Sequence, residues 1–202
     1  MLVMTVDQQG SRRVGDRVDA LLSALSARRS GVGVVRAFER TVGDEVQGVL
    51  DDADVVVDLA LHLLRTGGWT VGIGLGEVDR PLPPSTRAGS GPAFVHARAA
   101  VERAKSRTRP VPLAVEGTDA GRAADAEAVL TLLGALTIRR SAAGWAVVDA
   151  LATRRSGETQ EAVASRLGIT QQAVSQRLRA AMWAEEVAAR PVAARLLREG
   201  DA

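Results

Sequence analysis

Cysteine is absent from this chain, which excludes disulfides and thiolate metal sites and fits a reducing compartment. Tyrosine is absent as well, and aromatic residues make up only 2% of the whole. The core must therefore be built from Val, Leu and Ala. Lysine is almost missing: Lys105 is the only one among 26 basic residues. No apolar run approaches the roughly 18 residues that a membrane span needs. The opening MLVMTVDQQG has no basic segment followed by a long apolar run, so no signal peptide is predicted. The expectation is a cytoplasmic protein with no membrane partner. There is no Gly-Lys-Ser/Thr phosphate loop, no GxGxxG and no nucleophile–His–acid set.

What is present is a chain of 202 residues, 46% hydrophobic, with a net charge of +2. That length suits one large or two small domains. Leu2 to Val6 is short, apolar and partly β-branched, and predicts a first strand. Val14, Val18, Leu21, Leu22 and Leu25 form a helical stripe over residues 14–27. Val32 to Phe38 predicts a strand. TVGDEVQGVL turns at Gly43-Asp44 and returns as a second strand, a hairpin with an acidic tip. Asp51 and Asp52 open a helix that ends near Gly67-Gly68. WTVGIGLGEV, residues 69–78, alternates as a strand, with glycines where a backbone or a ligand comes close. Residues 80–92 are rich in Pro, Gly and Ser and predict a loop. A helix over 93–107 and a strand over 110–116 complete a β-α-β-β-α-β-α-β order. This predicts an α+β domain over residues 1–117, with an antiparallel-containing sheet and helices on one face. From residue 118 to 202 every predicted element is helical: 123–136, 142–153, two helices within 160–179, and 190–198 around Pro191. Trp145 and Trp183 are expected to pack that second domain together.

Within the helical half, QEAVASRLGITQQAVSQRLR, residues 160–179, reads as a helix-turn-helix. Val163 and Leu167 lie four apart on the buried face of a first helix, Gln160 to Leu167. Ala164 sits where the two helices touch. Gly168 tolerates the left-handed backbone that ends a helix. Ile169 plugs the corner, and Thr170 is a good N-cap for the second helix. Val174 and Leu178 give that helix its inward stripe. Gln171, Gln172, Ser175, Gln176 and Arg179 remain outward. Amides pair bidentately with adenine and guanidinium with guanine in the major groove. From Arg139 to Arg179 there are seven Arg (139, 140, 154, 155, 166, 177 and 179) against Asp149, Glu158 and Glu161, so 7 − 3 = +4. A basic segment is what phosphate contacts need, and Arg166 and Arg179 are the candidates to hold phosphates.

In the first half, Asp7 lies just past the end of the first strand, and Asp44 and Glu45 sit at the hairpin tip. In a ferredoxin-like sheet these positions converge, and two converging carboxylates suit Mg²⁺ or Mn²⁺ carrying a triphosphate. A favourable turn at Gly43-Asp44 and a loop aspartate at Asp7 would produce the same spacing. His62 lies on a Leu-rich helix and is expected to be a satisfied, partly buried residue. His96, two residues before Arg98, is a candidate to line a pocket.

This arrangement resembles the class III nucleotidyl cyclase fold. That family places one metal-binding Asp after the first strand and another in a Gly-Asp hairpin, positions matched by Asp7 and Asp44. Arg98 matches its Ala-Arg motif. More closely, the chain resembles the SatD family, in which GDE-Q, GIG-GE and GPAF-AR motifs precede a C-terminal helix-turn-helix. The resemblance covers nearly the whole chain. It implies a ferredoxin-like, class III cyclase-like sheet domain, with Gly43, Glu45 and Arg98 at a nucleotide and Asp7 and Asp44 at its metal. It also implies paired domains, hence a homodimer. One position departs: Phe94 stands where active cyclases carry an Asn that stabilises the transition state, and Phe neither donates to nor accepts from a phosphate.

The sequence therefore predicts a sequence-specific DNA-binding transcriptional regulator, dimeric on double-stranded DNA. Its cyclase-like domain would bind a nucleotide or mediate dimerisation. The alternative is a metal-dependent nucleotidyl cyclase or nucleotide hydrolase with an accessory helical domain.

Overall fold

The computed structural model describes residues 1–28, 32–153 and 159–201. It is an α+β structure around a five-stranded mixed sheet. The first strand, β1 (Leu2–Gln8), leads into a short α1 (Ser11–Val14) and α2 (Val18–Arg28). The hairpin strands β2 (Val34–Arg40) and β3 (Glu45–Leu50) follow, then α3 (Ala53–Thr66) and β4 (Trp69–Leu75). A loop leads to α4 (Pro92–Ala104) and the last strand, β5 (Leu113–Glu116). The remaining helices are α5 (Ala120–Arg139), α6 (Ala142–Ala152), α7 (Gln160–Arg166), α8 (Gln171–Ala180) and α9 (Trp183–Asp201).

The strands lie in the order β2-β3-β1-β4-β5. β1 is antiparallel to both β3 and β4, and β4 is parallel to β5. Alternation along β1 divides the core. Leu2, Met4 and Val6 face the apolar cluster that includes α2, α3, α5 and α9, while Val3 faces Ala93, Phe94 and Ala97 of α4. Helices therefore cover both faces of the sheet, not the one face expected from the element order.

The placement of α4 has a visible cause in β4. A Cβ on Gly72 would lie 2.3 Å from the backbone nitrogen of Val101, and one on Gly74 would lie 2.1 Å from the carbonyl of Ala93. Only glycines on the strand, facing alanines on the helix, let the two backbones meet this closely. The glycines of the GIGLGE stretch thus receive a helix.

Other boundaries follow from local chemistry. The Asp52 side chain accepts from the backbone N–H of Asp54 and Val55 and caps α3, and Gly67 ends it at φ 69°. β5 begins at Leu113, because Pro110 and Pro112 have no N–H to give a ladder. Val14, expected in the stripe of α2, is half-exposed in the separate α1, which Gly15 ends at φ 80°. The last helix starts earlier than its proline suggested and runs straight through Pro191. It buries Glu186 before the proline and Ala193, Ala194 and Leu197 after it. Burial on both sides outweighs the lost hydrogen bond.

Beyond Gly117 the helices serve two different cores. α5 and α9 bury Ala126, Leu130, Leu133, Ala194 and Leu197 in the cluster that also holds β1 and α3. Helices α6, α7 and α8 enclose a small core of their own, Val147, Ala164 and Val174, edged by Leu151, Leu167, Ile169 and Leu178. No helix among the described residues is long and apolar enough to cross a membrane.

Candidate functional site

The α7–α8 hairpin is built from two threonine caps and one glycine. Thr159 Oγ1 accepts from the N–H of Ala162 at 3.3 Å, and Thr170 Oγ1 accepts from the N–H of Ala173 at 3.1 Å. Gly168 turns the chain at φ 64°, and a Cβ there would meet nothing within 4 Å. Its role is backbone conformation alone. The N–H of Ile169 donates to the carbonyl of Ala164 at 3.0 Å and closes the corner. Val163, Ala164 and Val174 are buried. Ala164 leaves room for α8 to approach.

That packing decides what α8 presents. Gln171, Gln172, Gln176 and Arg179 are exposed, and Ser175 is half-buried. Arg166 is exposed on α7, but its guanidinium donates to the carbonyl of Ala150 on α6. Its visible role is to hold α7 against α6. Arg154, Arg155 and Glu158 of the basic segment lie outside the described residues.

The helices on either side of the hairpin, α6 and α9, are joined to α3 through stacked guanidinium and indole groups. Arg65 of α3 lies 3.7 Å from the centre of Trp145 on α6, and Arg140 lies 4.4 Å from the same ring. Arg140 also lies 5.6 Å from Trp183, which Arg190 approaches at 5.9 Å. Arg140 forms a fully buried ion pair with Glu186, and both side chains have 0% exposure. Arg190 holds the other carboxylate oxygen of Glu186 at 2.7 Å and reaches Asp58 of α3 at 3.3 Å. On the rim, Arg65 pairs with Asp149 at 2.6 Å. The Arg65 hydrogen bond, opposed by burial and aided by Arg140, holds the Asp149 carboxyl below its ordinary range. The two tryptophans therefore join α6 and α9 to α3 as well as packing the helical half. Sequence reasoning missed Arg140 and Glu186, and nothing in WAEEVAARP marks Glu186 as buried.

The second candidate lies at the C-terminal end of β1. Asp7 pairs in register with Glu45 of β3, and the N–H of Gln8 donates to the carbonyl of Asp44 at 3.3 Å. The first strand and the hairpin tip are thus neighbours. Burial raises the Asp7 carboxyl above its ordinary value, Lys105 opposes that rise, and the charges of Asp44 and Glu45 add to it. Asp7 senses both neighbouring acids, but the three are not a free cluster. Lys105 Nζ lies 3.0 Å from Asp7 Oδ2, and Glu45 Oε1 accepts from Thr41 Oγ1 at 2.6 Å. Among the described residues no group of three His, Asp or Glu is arranged to hold a metal ion.

The other predicted residues fall elsewhere. Arg98 is exposed on α4, seven residues or about 10 Å before Lys105. Gly43 makes the hairpin turn at φ 61°, with nothing within 4 Å of a Cβ. His96 Nδ1 lies 2.7 Å from the carbonyl of Leu75. Phe94 is buried, with Gly89 stacked on its ring. Gln47 is buried and donates to Thr5 Oγ1 at 2.8 Å. Much of what the motifs supply here is packing.

Beside Asp7 a cleft of about 680 Å³ opens between the β1–α1 and α4–β5 connections. Its lining includes Arg12, Arg13, Lys105, Arg107 and Arg109, together with Gln8, Gln9 and Ser106. Gln8 Nε2 donates to the carbonyl of Gly15 at 2.6 Å and its Oε1 accepts from the N–H of Arg17 at 2.8 Å. Gln9 Nε2 donates to Thr70 Oγ1 at 3.1 Å. These bonds fix the wall that carries Arg12 and Arg13. No protein family, curated protein or solved structure matches this chain.

Proposed function

We propose that this protein is a sequence-specific DNA-binding regulator whose α7 and α8 form a helix-turn-helix. The exposed face of α8, with Gln171, Gln172, Gln176 and Arg179, is the observation that carries the reading. A helix this short packs one side, Val174 and Leu178, with Val147 and Ala164 and leaves its amides and guanidinium outward. Those groups match the donor and acceptor edges of base pairs in a major groove.

In this reading the sheet, ordered β2-β3-β1-β4-β5, is a ferredoxin-like, ligand-binding and dimer-forming part. The nearness of Asp7, Asp44 and Glu45 and the cationic cleft beside them support a nucleotide as the ligand. The stacked junction at Trp145 and Trp183 would transmit the arrangement of two paired sheets to two recognition helices. Half-sites one helical turn apart, about 34–36 Å, then follow for a two-fold dimer.

The test is selection of bound DNA followed by affinity measurement. Each base-contacting Gln changed to Ala should weaken the specific site by about 1–3 kcal/mol and relax preference at one base pair. If the variant with Gln171, Gln172 and Gln176 all changed to Ala kept full specificity, α8 would not be the reading element.

A further inference from the structure

The arginines of this chain divide into those with partners and those without. Arg103 and Arg109 both hold Glu127, and together with it they cover the open edge of β5 at Leu113 and Val115. Lys105 is held by Asp7 and by Glu102. In the cleft beside Asp7, Arg12, Arg13 and Arg107 are exposed and have no hydrogen-bond or ion-pair partner among the described residues.

Three uncompensated guanidinium groups in one concavity repel one another. An anion lowers that energy most when its charge is as dense and as divided as theirs. Arginine stays charged at any physiological pH, and its fork of N–H donors fits phosphate oxygens in pairs. A cleft of about 680 Å³ is the size of a small-molecule site. The neighbouring acid does not spoil it, because Lys105 already neutralises Asp7 at 3.0 Å. That ammonium lies against Oδ2, one of the two oxygens Asp7 could offer a divalent cation.

We propose that this cleft binds a free polyphosphate anion, as on a nucleoside triphosphate, through Arg12, Arg13 and Arg107 and without a divalent cation. The inference rests on the ligand-binding half of the function proposed above and is independent of its DNA-binding half.

Titration calorimetry on the full chain tests it, with tripolyphosphate and with ATP, each in EDTA and in excess Mg²⁺. Binding is expected in EDTA. R12Q/R13Q/R107Q should weaken it about tenfold or more, as loss of charge-assisted contacts requires. R107Q alone should weaken it in the same direction. D7N should not weaken it and is expected to tighten it, since it takes a carboxylate from the lining and releases Lys105. R80Q/R87Q/R195Q removes the same charge from other surfaces and should bind like the parent. Binding only with Mg²⁺ and its loss in D7N would overturn the inference while leaving a nucleotide-binding sheet. Absence of binding under all conditions would remove both. Equal weakening by the R80Q/R87Q/R195Q control, or unchanged affinity in R12Q/R13Q/R107Q, would overturn the inference alone. So would a triple variant that loses DNA affinity but keeps tripolyphosphate affinity, because the arginines would then belong to the DNA.

Discussion

The sheet and the α6–α8 unit are stabilised in different ways. The sheet buries a large apolar cluster from β1, β3, β4, α2, α3, α5 and α9, so its elements are held by area. The apolar cluster shared by the α6–α8 unit holds only three buried side chains, all small: Val147, Ala164 and Val174. So small a core supplies little of the apolar burial that stability needs. What it lacks in area it gains from capping threonines and from a buried polar junction with α3 and α9. A unit made this way is ordered mostly by its attachment.

The largest test of that contrast is Arg140→Ala. It leaves Glu186 buried and short of its main partner, and it empties the space between Trp145 and Trp183. Breaking a buried pair from one side costs about 3–5 kcal/mol. Denaturation followed by tryptophan fluorescence should show that loss, and Arg140→Met with Glu186→Leu should recover much of it. A loss below about 1 kcal/mol for the single variant would mean that the junction does not hold the unit.

Next in size are two glycines that serve opposite needs. Gly74→Ala drives a methyl into the backbone of α4 and should cost about 1–3 kcal/mol or more. Gly168→Ala meets no atom and should cost only the left-handed backbone penalty, about 1 kcal/mol. Thermal melts of the two variants rank space against conformation. Equal losses would erase the distinction.

How much was legible in the sequence divides along the same line. The order of elements was readable, because Asp52, Gly67, Gly168 and Thr170 mark ends by local chemistry. The composition of α8's two faces was readable because apolar spacing fixes them. The face on which α4 lies was not, since Gly72 and Gly74 announce a close approach without naming the partner. The helix over 123–136 was readable as a helix, but not that the cluster holding β1 and α3 would bury its apolar side. The pairs Lys105–Asp7 and Arg140–Glu186 join residues far apart in the chain, and no local pattern encodes them. At the candidate ligand site this mattered most: the two acids were readable, and the ammonium that answers one of them was not.

The smallest effect separates two aspartates of the same ordinary value. Asp7 is raised and Asp149 is lowered from 3.8. Folding favours the protonated form of Asp7, so its contribution is full below 3.8 and is lost as pH rises past its folded value. Folding favours the ionised form of Asp149, so the contribution of its pair with Arg65 is present above 3.8 and is lost as pH falls towards its folded value. Asp7→Asn should therefore raise the melting temperature at neutral pH, with the gain vanishing below 3.8. Asp149→Asn should lower it at neutral pH and become silent in acid. Parallel shifts for both variants would contradict the opposite environments of the two groups.

The contact between β4 and α4 sets the mechanics of the cleft. Glycine on one side and alanine on the other leave no side chain between strand and helix to act as a cushion. A helix seated on backbone atoms cannot slide or roll without lifting off altogether. Lys105 and Arg107 follow the last turn of that helix, so the sheet sets where this wall of the cleft begins. This wall of the cleft is a mould and not a clamp. An anion bound there, as proposed, would be chosen by the spacing of its charges and would cost the protein little motion.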